Sequence, residues 1–155
     1  MQHSGNSTVR RILIGVNRTD RIYYRFAKRI GITENALGLF YALSDGKPHS
    51  QKEICDEWMI PRSTLNTIVK EYAENGYIRL EKGVRAKEKI LLITEKGRNY
   101  TSAWMDRLFS AEQEAFTKAV DRYGGAFVDA LSLFVDTLEE QLLQEKGNGE
   151  HDDAK

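Results

Sequence analysis

Residues 61–76 read PRSTLNTIVKEYAENG, and the side chains able to do chemistry there fall on one side of a helix. At about 100° per residue, Ser63, Asn66, Thr67 and Lys70 centre one face, with Arg62 and Thr64 on its margins. Leu65, Ile68, Val69, Tyr72 and Ala73 form a continuous apolar stripe opposite. Hydroxyls, an amide and two cations are groups for recognition and not for bond breaking. Short polar side chains reach base edges when a helix lies in the major groove, whereas Arg62 suits a phosphate. An ordinary solvated helix presents a similar face, so the neighbouring elements must decide between the two readings.

Catalysis finds no support. The sequence has no phosphate-binding glycine loop, no nucleophile elbow and no cofactor motif. His3, His49 and His151 have no cysteine or carboxylate at ligand spacing, so neither a metal nor a cofactor is expected. The single cysteine, Cys55, excludes a disulfide framework, and its place beside Ile54 suggests a small core residue and not a redox sensor. No apolar run approaches the length of a membrane span, and Ile12 to Val16 is too short for a leader core; a cytoplasmic protein with no membrane partner is expected.

The formal net charge is zero, but it is segregated: residues 1–100 hold 18 basic against 11 acidic side chains, and residues 101–155 hold 5 against 12. The basic part is the one that carries the polar helix. Around that helix the spacing predicts a mainly α chain with a small two-stranded β wing. Residues 1–8 read as a flexible arm and 9–32 as an N-terminal helix with its weak point at Gly15. Thr33 caps a second helix, and Ser50 with Glu53 makes a capping box for a third, whose buried side would be Ile54, Cys55 and Trp58. A tight MIP connection places Pro61 in the first turn of the polar helix. Residues 77–82 and 89–93 have strand character around a basic tip, where Lys82, Arg85, Lys87 and Lys89 would meet phosphates or enter a groove. Thr94 caps a long helix with a second capping box, Ser110 and Gln113, predicting a restart; Gly124 and Gly125 break it. The last helix carries Phe127, Ala130, Leu131, Phe134, Val135 and Leu138, and 146–155 is an acidic tail.

Two short helices joined by a tight turn, followed by a hairpin, make a winged helix-turn-helix spanning 33–98. The stretches PRSTLNTIVKEYAENGYIRLEKG and LLITEKGRNY resemble the recognition helix, wing and wing-to-helix junction of the MarR family of bacterial transcriptional regulators. That resemblance implies a homodimer held by the first helix and by helices within 99–145, acting on double-stranded DNA at a pseudo-palindromic operator, with repression by occlusion the simpler action. It also implies a small aromatic effector bound between the dimerising and DNA-binding parts. Tyr23, Phe26, Phe40, Tyr41, Tyr100 and Trp104 are candidates for that pocket, although aromatic residues at such positions also serve as plain core. Where the family's wing carries Asp-x-Arg, this chain has Arg85-Ala86-Lys87, so Lys87 would bring charge without the aspartate that braces it. The alternative is a winged-helix protein-interaction module whose basic front docks an acidic partner.

Overall fold

A computed structural model describes residues 2–83 and 88–143. Arg85 and Lys87, and the 146–155 tail, lie outside the described residues. In chain order the elements are α1 (Gln2–Ile30), α2 (Glu34–Ala42), a 3-10 turn (Leu43–Asp45), β1 (His49–Ser50), α3 (Gln51–Glu57), α4 (Arg62–Glu74), β2 (Ile78–Lys82), β3 (Lys89–Ile93), α5 (Glu95–Tyr123) and α6 (Ala126–Leu143). The chain divides into two compact units, one ending at Arg107 and one beginning at Leu108.

Local chemistry sets most boundaries in the first unit. Thr33 Oγ1 accepts from the Ala36 N–H at 3.2 Å, and Gly46 at φ +73° ends the 3-10 turn. In the Ser50 capping box, Ser50 Oγ accepts from Glu53 N at 3.1 Å and the Glu53 carboxylate accepts from Ser50 N at 2.8 Å. That backbone hydrogen bond holds the Glu53 carboxyl below its ordinary range. Pro61 sits one position earlier than its sequence suggests: ψ of 137° makes it the extended N-cap residue, and helical geometry begins at Arg62. The stripe on α4 is inward, with Leu65, Ile68, Val69 and Tyr72 buried and Ala73 half-buried. The most enclosed side chains are Phe40, Leu39, Leu43, Ile54, Leu65 and Leu91, so α2, α3, α4 and the sheet share one core.

The sheet is antiparallel in the order β1-β3-β2. The expected two-stranded wing therefore has a third, two-residue strand, His49 and Ser50, paired with Leu91 and Ile90. Three further expectations are corrected. Helical backbone runs from Gln2, through the expected arm and through Gly15, because extending an existing helix costs far less than nucleating one. The same cooperativity carries α5 past Ser110 without a restart. Trp58 is the C-cap residue of α3 and is 37% exposed, so it turns away from the side buried by Ile54 and Cys55.

In the second unit, Gly124 at φ +78° separates α5 from α6, and the Phe116 and Phe127 rings approach to 6.1 Å between centroids. No residue of α6 is buried: Leu131, Val135 and Leu138 are among the apolar side chains it leaves open. Among the described residues, no helix is long and apolar enough to cross a membrane.

Candidate nucleic-acid interface

With its apolar stripe inward, α4 turns Arg62, Ser63, Asn66, Thr67 and Lys70 to solvent, and Thr64 lies at the half-buried margin. Hydrogen bonds already made inside the fold decide what these groups have left to offer. The Thr67 hydroxyl donates to the Ser63 carbonyl at 3.0 Å, which uses its proton and leaves oxygen lone pairs and a methyl group outward. Asn66 Oδ1 accepts from Gln51 Nε2 at 2.6 Å, tying α4 to the first residue of α3. The two amides then act as one unit, with Asn66 Nδ2 left to donate and Gln51 Oε1 left to accept. Sequence reading missed Gln51, since no linear spacing signals a partner 15 positions away. Lys70 lies 3.9 Å from the Glu74 carboxylate with both side chains mostly exposed, a loose pair that a phosphate can displace at little cost.

The wing brings cations to the same side. Along one face of the hairpin the register pairs Ile78 with Ile93, Leu80 with Leu91 and Lys82 with Lys89. Apolar pairs thus anchor its base, and two exposed like charges stand opposite one another at its outer end. Facing like charges destabilise a sheet in water, whereas an anion between them reverses the sign. Gln51, Asn66, Lys70, Leu80 and Lys89 line one groove between the helix pair and the sheet. Of the predicted residues, Asn66, Lys70 and Lys89 are therefore brought together; Arg62, Ser63, Thr64 and Thr67 continue along α4, and Lys82 faces Lys89.

A helix pair, a groove-sized polar face and a cationic hairpin in this order coincide with a known family. Residues 30–87 match the model of the MarR family. The winged part of the chain is thus similar to that family, over less than half of its length. Solved MarR structures share its fold at low identity. A MarR family regulator from Neisseria meningitidis is 18% identical, with 86% of this chain and 95% of that one aligned at a TM-score of 0.74. One from Streptomyces coelicolor, in complex with DNA, is 19% identical over 92% and 91% of the two chains at a TM-score of 0.64. NadR in complex with 4-hydroxyphenylacetate is 16% identical over 86% and 91% at 0.60. No curated protein matches the chain.

The fold divides the aromatic residues. Phe40 is fully enclosed, edge-on to Tyr72 at 4.7 Å and within 6.0 Å of Tyr100 and Trp104, so Phe40 itself is a core residue. Phe26 is half-buried on α1. Tyr23 and Tyr41 instead line a cavity of about 530 Å³ together with Trp58 and Met59. Along α2, Phe40 is enclosed while its neighbour Tyr41 reaches this cavity. Burial also raises the Cys55 thiol above its ordinary range, which disfavours the reactive thiolate.

Proposed function

We propose that the chain is a homodimeric, sequence-specific repressor that reads a pseudo-palindromic operator with α4, neutralises backbone phosphates with its wing, and is released by a small aromatic effector. The observation that carries the reading is the shared groove: Asn66 and Lys70 from the polar face of α4 and Lys89 from the wing border one concavity. In this assignment Ser63, Asn66 and Thr67, with Thr64 at the edge, meet base edges. Arg62, Lys70, Lys82, Arg85, Lys87 and Lys89 meet phosphates or the minor groove. Dimerisation is supported by α6, which carries an apolar face and buries none of it within one chain. A twofold axis would then set the two recognition helices about 34 to 36 Å apart, matching successive major grooves. The cavity beside Tyr23 and Tyr41 is the effector site of this reading.

Selection of bound duplexes from a random pool near physiological salt, with the dimer measured on the same sample, tests the proposal. Enrichment of an inverted repeat is expected, and binding to it should survive excess unrelated DNA. A pool that emerges unenriched from a dimeric sample sinks sequence-specific reading and favours the protein-interaction module.

A further inference from the structure

The cavity's walls differ in kind. Its aromatic residues are Tyr23 from α1, Tyr41 from α2 and Trp58 from the end of α3, with the Tyr41 and Trp58 rings 4.9 Å apart. Gly38 lies against the same ring, and a Cβ there would make ordinary van der Waals contact with Trp58 at 3.5 Å. The charged residues of the lining are Asp20 and Glu34, both carboxylates; no lysine, arginine or histidine lines it. Among the described residues neither carboxylate is in an ion pair. Glu34 has a structural occupation as well, because it stands in the first turn of α2 where a negative charge favours the helix. Asp20, in the middle of α1, has no such occupation.

Ring faces carry negative electrostatic potential, and two carboxylates beside them deepen it. We propose that the cavity binds an aromatic amine in its protonated form, with its ring against Tyr41 and Trp58 and its ammonium directed at Asp20 and Glu34. A volume of about 530 Å³ suits a small ring with a short side chain. The proposal rests on the reading of the chain as an effector-released regulator, and it names the ligand class that the same cavity takes. A route to the DNA face lies in the cavity wall itself. Trp58, Met59 and Ile60 belong both to the lining and to the turn that leads into α4, and Met59 holds a left-handed backbone, φ +50°. Such a residue sits in a sparsely populated conformation, so a ligand pressing on it biases the turn that aims the recognition helix.

The test uses three compounds with one ring and three charges: tyramine, 4-hydroxyphenylacetamide and 4-hydroxyphenylacetate. Titration calorimetry on the full chain without DNA is expected to rank tyramine tightest, by about fivefold over the amide, with the acetate weakest. An Asp20→Asn, Glu34→Gln double variant should bring tyramine to the amide's affinity and leave the amide unchanged, with a cooperative melt and retained helix content showing that it folds. Equal affinities, a preference for the acetate, or undiminished tyramine binding by the double variant overturns the proposal. In a second arm, tyramine should weaken binding of the selected duplex by the parent chain and leave the double variant's binding unaffected. Failure of the ligand-free chain to bind any duplex counts against the regulator reading, and calorimetry without DNA still scores the cavity on its own.

Discussion

Asn66 and Thr67 differ from Lys89 in what their loss should remove. Under the proposed function, truncating Asn66 or Thr67 to alanine removes a group assigned to base edges, so discrimination at the contacted position should fall by about 1 to 3 kcal/mol while binding to unrelated DNA changes little. Lys89→Ala should instead weaken all duplexes and reduce the salt slope by about one. Binding measured on the selected operator and on a scrambled duplex across salt checks the split; equal losses on both duplexes for all three variants would undo it. Gln51→Ala should follow Asn66→Ala, since it releases the amide that Gln51 holds at 2.6 Å. Tyr72 makes a different prediction. Burial, then the neighbouring Tyr100, pushes its phenol up to about 12. The unfolded chain would ionise near 10, so the folded state resists losing the proton. Its contribution is intact below pH 10 and drains away as pH rises from there through 12, to a ceiling of roughly 2 to 3 kcal/mol. Denaturant titrations between pH 9 and 12 should fall less steeply for Tyr72→Phe than for the parent. At this scale the sequence was most legible where periodicity acts: the stripe Leu65, Ile68, Val69, Tyr72 is buried and the face opposite is open. Contacts between elements, Gln51 with Asn66 or Trp58 with Tyr41, have no local signature and had to await the fold.

Among the elements, the junction between wing and α5 is closely packed. Thr94 Oγ1 donates toward the carbonyls of Gly76, at 2.7 Å, and Tyr77, at 3.1 Å, and accepts from Gly97 N at 3.0 Å. This one hydroxyl joins the end of α4, the start of β2 and the head of α5. A Cβ on Gly97 would overlap the Tyr77 carbonyl oxygen and come within 2.9 Å of Ile93 Cγ1, so glycine is required for close approach and not for an unusual φ. Gly97→Ala should cost about 1 to 3 kcal/mol, read as a lower denaturation midpoint with helix content retained. An unchanged midpoint would mean that the junction yields without cost. Caps made elements legible in advance: Thr33, Ser50 with Glu53, and Thr94 each begin a helix where a short polar side chain can reach an N–H three residues on. Other boundaries are tertiary. β1 is only two residues long and exists because Leu91 and Ile90 are opposite it, while Ser110 and Gln113 carry a capping pattern inside a helix that had no reason to stop.

The molecule as a whole separates its charges, with the basic excess before residue 100 and the acidic excess after it. Under the proposed function the basic excess belongs to the part of the chain that carries α4 and the wing, and zero net charge conceals it. Dimerisation belongs to this scale too. Leu131→Glu with Leu138→Glu places two charges on the open apolar face of α6 without opening a buried core in one chain. Sedimentation should then show a monomer with helix content intact, and operator affinity should collapse because two half-sites can no longer be engaged together. A variant that remains dimeric would remove α6 from the interface. The lysines that face one another across the wing, Lys82 and Lys89, carry a consequence beyond recognition. They make the outer rungs of the hairpin an ion-dependent clasp: repulsion loosens those rungs in dilute buffer, and a bridging polyanion closes them. Amide hydrogen exchange at the ends of β2 and β3 should therefore slow when sulfate replaces chloride at equal ionic strength, with no DNA in the tube.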